Sequence, residues 1–171
     1  MIVYHVKSGL KILFVGINPH YGSFSRGVPF SNNKNFWYLL NRSGIIKENI
    51  NDLRDDKSLF DIYNNKFSDV YKLGLLNIVN RPSKSASDIK KGEEKGGVHR
   101  INAAIKRYKP KVVCFIGKVS FQKYDNKKEV SFGWKGKLYD SKVFVSRFPI
   151  RGPNSERIKE FIEIKRYAFG D

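Results

Sequence analysis

Cysteine, acidic side chains and long apolar runs are all scarce in this chain. The one cysteine, Cys114, has no intrachain partner for a disulfide. A cysteine-ligated iron–sulfur cluster or zinc site needs several thiolates, so neither is expected. Cys114 lies inside the run Val112–Ile116 and reads as a small buried hydrophobe. The three histidines are scattered without metal-ligand spacing, so no metal or other cofactor is expected. No apolar stretch approaches the roughly 20 residues that span a bilayer, and no basic n-region with a small-residue cleavage site opens the chain. Neither a membrane partner nor a signal peptide is expected. A glycine-rich phosphate loop is missing after the first strand-like run, which counts against a nucleotide-binding Rossmann domain.

The shortage of carboxylates says most about function. Sixteen Asp and Glu face thirty-three Lys and Arg, for a net charge of +17 over 171 residues. Such an imbalance attracts polyanions, and nucleic acid is the leading partner over a merely soluble basic surface. With 40% apolar residues the chain is globular, and its length suits one domain over residues 1–171.

What is present reads as alternating strands and helices. Residues 11–17 form a first strand, and 18–32 a long loop. Ser31-Asn32-Asn33 offers cap chemistry for a helix carrying Phe36, Trp37, Leu39 and Leu40, closed by Gly44. One or two short helices are expected in 45–73, a second strand at Leu75–Val79, and a polar loop from Ser83 to Gly97. A helix from Val98 ends before Pro110, Val112–Ile116 is a third strand, and a short helix follows Gly117. Gly133–Gly136 reads as a turn and Val143–Val145 as a fourth strand, with a last helix capped by Asn154 or Ser155. The pattern predicts βαβ units around a short, mainly parallel four-stranded sheet flanked by helices. Asn18, held by Pro19, falls where the first strand ends, and ligands of open α/β sheets bind outside those carboxyl ends. An amide beside the rigid, aromatic Gly27-Val28-Pro29-Phe30 turn suits a planar, uncharged ligand such as a nucleobase.

Gly16-Ile17-Asn18-Pro19, then Gly27-Val28-Pro29-Phe30, then Asn35-Phe36-Trp37 resemble the first motif of the mismatch-specific uracil/thymine DNA glycosylases. Asn77-Ile78-Val79-Asn80-Arg81-Pro82-Ser83 looks like that family's second-strand segment, and Gly96-Gly97, Ile116-Gly117-Lys118 and Trp134/Gly136 follow in similar order. The first motif is also similar to that of the single-strand-selective uracil glycosylases; Asn80-Arg81-Pro82 favours the mismatch-specific branch. The resemblance implies the three-layer uracil-glycosylase α/β sandwich, a monomer without metal or cofactor, and hydrolysis of the N-glycosidic bond of a base flipped out of double-stranded DNA. It assigns Asn18 to positioning the attacking water and Phe30 to stacking on the base. Backbone N–H groups near Ile17 and Phe30 would meet the pyrimidine oxygens, and Asn77 would read the base edge. Arg81 is a DNA-contact candidate that also holds its turn.

Two departures from the family pattern stand out. His20, then Tyr21, follow Asn-Pro where the family commonly has glycine, and their bulk would narrow the pocket around C5 and disfavour thymine. His20 alternatively assists the leaving base or grips a phosphate. After the last strand the family's Asn-Pro-Ser loop, which wedges into the duplex, is replaced by Phe148-Pro149-Ile150-Arg151. There Pro149 keeps the turn, Ile150 is a candidate wedge and Arg151 a candidate partner for the widowed guanine, a phosphate-contacting loop being the alternative. Hypoxanthine, an etheno adduct or single-stranded uracil remain alternative substrates, and a non-catalytic basic DNA-binding module is the rival of another class.

Overall fold

The computed structural model describes residues 1–150 and 154–170. Its frame is a five-stranded sheet of order β2-β1-β3-β5-β4. Strands β1 (Ile12–Gly16), β2 (Leu73–Asn77), β3 (Val112–Ile116) and β5 (Ser141–Ser146) are parallel, and β4 (Gly133–Leu138) pairs antiparallel with β5. The helices are α1 (Tyr21–Arg26), α2 (Asn35–Arg42), α3 (Ile50–Arg54), α4 (Asp56–Ile62), α5 (Lys95–Tyr108), α6 (Lys118–Asp125) and α7 (Ser155–Phe169). A π-helical turn, Tyr63–Phe67, continues α4.

Every residue of β1, β2 and β3 is buried, because helices cover both faces of the sheet. This is why these strands read as unbroken apolar runs and not as alternating patterns. The pleat still sorts them. Ile12, Phe14, Leu75, Cys114 and Phe144 join Phe36 and Trp37 of α2 and Phe161 and Ile164 of α7 on one face. Leu13, Val15, Val113, Phe115 and Val145 join Ile101 and Ile105 of α5 on the other, with Phe121 and Tyr124 of α6 alongside. The result is the expected three-layer α/β architecture. Among the described residues no helix is long and apolar enough to cross a membrane.

The structure corrects four local expectations. The sheet has five strands, not four, because Gly133–Gly136 belongs to β4 and not to a turn. This edge strand is half-buried, with Gly136 and Lys137 exposed, and irregular between Trp134 and Lys137, so it lacks the apolar run that marks its neighbours. Strand β2 begins two residues before the predicted strand, at Leu73, although the Ile78 and Val79 N–H groups still donate to Gly16 and Ile17 carbonyls at 3.0 and 2.8 Å. The loop at 18–32 contains α1, capped by His20 Nδ1, which accepts from Gly22 N at 3.1 Å. Helix α5 starts at Lys95, three residues before Val98, with Gly96 and Gly97 in its first turn.

Gly97 is the tightest point of this frame. A methyl group there would overlap the Ile78 carbonyl just beyond β2. Backbone on both sides cannot yield as a flexible side chain does. Gly97→Ala is expected to cost about 3 kcal/mol or more, at or above the upper end of overpacking effects, in urea denaturation against wild type.

Candidate active site

Strand β2 lies on one side of β1 and β3 on the other, so the chain changes direction across the sheet at β1. Crevices at such switch points hold the ligands of α/β proteins. A cavity of about 210 Å³ opens there, lined by Asn18, His20, Ser23, Pro29, Phe30, Asn32, Asn33, Asn77, Phe148 and Pro149. Five residues singled out from the sequence thus meet: Asn18, His20, Phe30, Asn77 and Pro149. Ile17 does not line the cavity; its side chain packs on the core layer that holds Leu13 and Val15. Tyr21, the first residue of α1, and Ile150, next to Pro149, do not line the cavity; they are 57% and 50% exposed. Arg151 lies outside the described residues.

The Asn18 amide is fixed in one orientation. Its Nδ2 donates to the Arg81 carbonyl at 3.0 Å and to Ser83 Oγ at 2.7 Å. A carbonyl only accepts hydrogen bonds, so the nitrogen must face Arg81. Ser83 is itself held: its Oγ donates to the Ser85 carbonyl at 2.7 Å and its N–H to the Pro19 carbonyl at 3.1 Å. Both amide hydrogens are used, and Oδ1 accepts nothing from the described residues. Asn18 therefore presents a bare acceptor. Because His20 Nδ1 accepts from the α1 backbone, the neutral ring carries its proton on Nε2.

The opposite wall is aromatic. Phe30 adopts φ 56°, a left-handed conformation that costs a non-glycine residue about 1–3 kcal/mol. Its neighbours impose it: Trp37 Nε1 donates to the Pro29 carbonyl at 2.9 Å, and buried Ser23 Oγ accepts from Ser31 N and Asn32 N. The Phe30 ring leans on Phe36, with centroids 4.9 Å apart, and faces Phe148 at 6.2 Å. Between these rings and Asn77 lies Gly16, where a Cβ would stand 2.5 Å from Asn77 Oδ1 and 3.3 Å from the Phe30 ring. Only a residue without a side chain lets the two close in.

A strap over residues 147–150 completes the rim. Buried Glu160 accepts from Arg147 N at 3.0 Å and Nη1 at 2.8 Å, yet burial outweighs that pairing and holds its carboxyl above the ordinary value. Asn33 Nδ2 reaches the Pro149 carbonyl at 3.5 Å, and Asn35 Nδ2 the Ile150 carbonyl at 2.7 Å. Sequence reasoning missed Ser23, Asn33, Ser83 and Phe148 as parts of the site. Ser83 closed a quoted motif, Phe148 opened the quoted strap segment and Asn33 stood in the expected helix cap, but only the fold brought Asn33 and Phe148 to the cavity and Ser83 to the Asn18 amide.

Two features set the electrostatics nearby. A groove of about 480 Å³ adjoins the cavity through shared Asn32 and Asn33, and Arg26, Lys34, Arg42 and Arg54 line it against one carboxylate, Asp56. Such a surplus suits phosphate oxygens. Arg81, by contrast, spends its guanidinium internally, with Nε and Nη2 on the Glu93 carboxylate at 2.7 and 3.0 Å and Nη2 on the Asp88 carbonyl. Only its backbone reaches the site, through Asn18.

The arrangement is an α/β protein with a small pocket lined by aromatic rings and several amides beside a groove lined by four cations and one carboxylate. The family model of the uracil DNA glycosylase superfamily matches residues 3–159, and the chain belongs to that superfamily. The chain is also similar to a protein of Schizosaccharomyces pombe named G/U mismatch-specific uracil DNA glycosylase, with 32% identity over an alignment covering 78% of this chain. The alignment spans 42% of the length of that relative.

The Arg81–Glu93 pair makes one expectation about pH. Hydrogen bonds from Arg81, then from Lys90 N, pull the Glu93 carboxyl down to about 2. A lowered folded-state value stabilises above the ordinary range of about 4.3, and the contribution is lost as pH falls from there towards 2. Carboxyl NMR should place the Glu93 midpoint near 2 in wild type and higher in Arg81→Ala, still below the ordinary value because the Lys90 N–H bond remains.

Proposed function

We propose that this chain removes uracil from DNA, chiefly opposite guanine, by hydrolysing the bond between C1′ of the deoxyribose and N1 of the base. The observation that carries the reading is the Asn18 amide: both its hydrogens are tied down, its oxygen accepts from none of the described residues, and the residue lines a cavity of about 210 Å³. A base must leave the duplex before it can be cut, at a cost that is least at a mismatch. The groove of Arg26, Lys34, Arg42 and Arg54 takes the strand's phosphates, and the flipped base slides onto Phe30.

As the C1′–N1 bond breaks, positive charge develops on the sugar and negative charge on the base. Asn18 Oδ1 accepts a hydrogen bond from a water and aims its oxygen at C1′. An amide is a weak base, so its contribution is orientation. Backbone N–H groups at Ile17 and Phe30 stabilise the charge arriving on the pyrimidine oxygens. The water oxygen bonds to C1′, its proton passes to solvent, and the base departs as an anion that solvent protonates, leaving an abasic site. Among the described residues no lysine lines the cavity, which supports simple hydrolysis over a lyase step through an amine. The volume of about 210 Å³ lies below the roughly 300–1,000 Å³ of pockets for larger ligands and favours a lone pyrimidine over hypoxanthine or an etheno adduct. His20 on the cavity wall crowds C5 and makes thymine a poorer substrate.

Asn18→Ala should lower the rate of alkali-revealed cleavage at a central U·G pair about 100-fold or more while binding the duplex as wild type does. An unaffected mutant would remove Asn18 from the mechanism, whereas intact uracil with wild type, together with salt-dependent binding, would identify a binding module instead. Ile150→Ala should slow uracil removal from the U·G duplex about tenfold yet leave single-stranded uracil within about twofold, since a wedge matters only where a stack must be filled. Equal losses on both substrates would assign Ile150 to folding of the strap.

A further inference from the structure

Residues 3–5 precede the first strand, carry no motif, and are nevertheless bolted down from one side. Tyr63 Oη donates to the Val3 carbonyl at 2.6 Å, Ser68 Oγ to the His5 carbonyl at 3.1 Å, and His5 Nε2 pairs with Asn64 Oδ1 at 2.8 Å. Tyr63 and Asn64 belong to the π-helical turn and Ser68 follows it directly. Turns of this type often mark functional sites. Their effect here is to fix the residue between the two held carbonyls, Tyr4, whose hydroxyl reaches the end of β2 and accepts from Asn77 Nδ2 at 2.9 Å.

Asn77 is buried and closely surrounded. Arg100 Nη2 donates to its carbonyl at 2.8 Å, Gly16 lies against its Oδ1, and its side chain reaches the cavity. What remains free is rotation of the amide about its last bond, which exchanges oxygen and nitrogen. The geometry points to Tyr4 as the residue that positions the Asn77 amide for reading the uracil edge. This rests on the reading of Asn77 as the base reader. One Nδ2 hydrogen goes to Tyr4, which leaves the second for O4 of uracil and Oδ1 for the N3–H. That pairing uses both amide hydrogens and gives the amide oxygen a donor. Burial raises the Tyr4 phenol above its ordinary value, so a neutral hydroxyl is available as partner throughout the neutral range.

The test is a double-mutant cycle on a U·G duplex, with folding of each variant checked by circular dichroism. Tyr4→Phe keeps the ring and removes only the hydroxyl. It should lower kcat/KM about tenfold, the order of one lost buried hydrogen bond, and Asn77→Ala should lower it further. In the Asn77→Ala background Tyr4→Phe should then change the rate less than about twofold, since no amide is left to position. Side-chain amide NMR gives a readout independent of activity: the Asn77 Nδ2 hydrogens should exchange slowly in wild type and fast in Tyr4→Phe. An equal tenfold loss from Tyr4→Phe in both backgrounds would mean packing alone and would overturn the assignment. So would an unimpaired Tyr4→Phe beside an impaired Asn77→Ala. Full activity of Asn77→Ala would instead bring down the base-reading role on which the inference rests, while Asn18→Ala, tested separately, would still report on hydrolysis itself.

Discussion

The site depends on how closely β1 and β2 approach one another at Gly16. With no side chain there, Asn77 Oδ1 and the edge of the Phe30 ring both close over the strand end. The same closeness lets the chain after β2 continue bonding past the strand, with Ile78 N on the Gly16 carbonyl and Val79 N on that of Ile17. Two residues further, the Arg81 carbonyl comes within reach of the Asn18 amide, and Ser83 seals it. A polar side chain at a loop mouth becomes a fixed acceptor because the backbones of two strand ends are locked together beneath it.

Around that lock the protein holds its loops with side chains more than with regular structure. Asn33, Asn35 and Glu160 hold the 147–150 strap, Ser23 and Trp37 hold the Phe30 turn, and the π-helical turn holds the N-terminal lead-in. Each anchor is buried or half-buried, where an unmade hydrogen bond is expensive. The pocket is therefore held in shape by the protein's own hydrogen bonds. The strained backbone at Phe30 belongs to the same economy, being tolerated because several neighbours agree on it.

Charge is divided between two tasks. Arg81 and Arg147 close internal pairs with Glu93 and Glu160, so they shape loops. Arg42 and Arg54 face the groove beside the pocket with only Asp56 to oppose the four cations there. The scarcity of acids thus has a local meaning: the carboxylates present serve as anchors, and the surplus of cations is left to attract a polyanion.

Composition and pattern carried the α/β class and three parallel strands close to their observed limits; pattern picked out Asn18 and Phe30, and the family resemblance added Asn77, all of which line one cavity. These were legible because buried parallel strands are continuous apolar runs and because motif residues are close in sequence to the strand ends that place them. Edge strand β4 was not, since a half-buried, irregular strand carries no such run. Nor was α1, whose cap is a histidine and whose six residues sit among turn formers. Arg81 was a DNA-contact candidate that also holds its turn, and only the fold showed Glu93 as the partner of its guanidinium. Tyr4 and Ser83 gained their roles only through neighbours 73 and 65 residues away. Local order can be read from local sequence, but which polar groups find partners depends on contacts that exist only once the sheet has assembled.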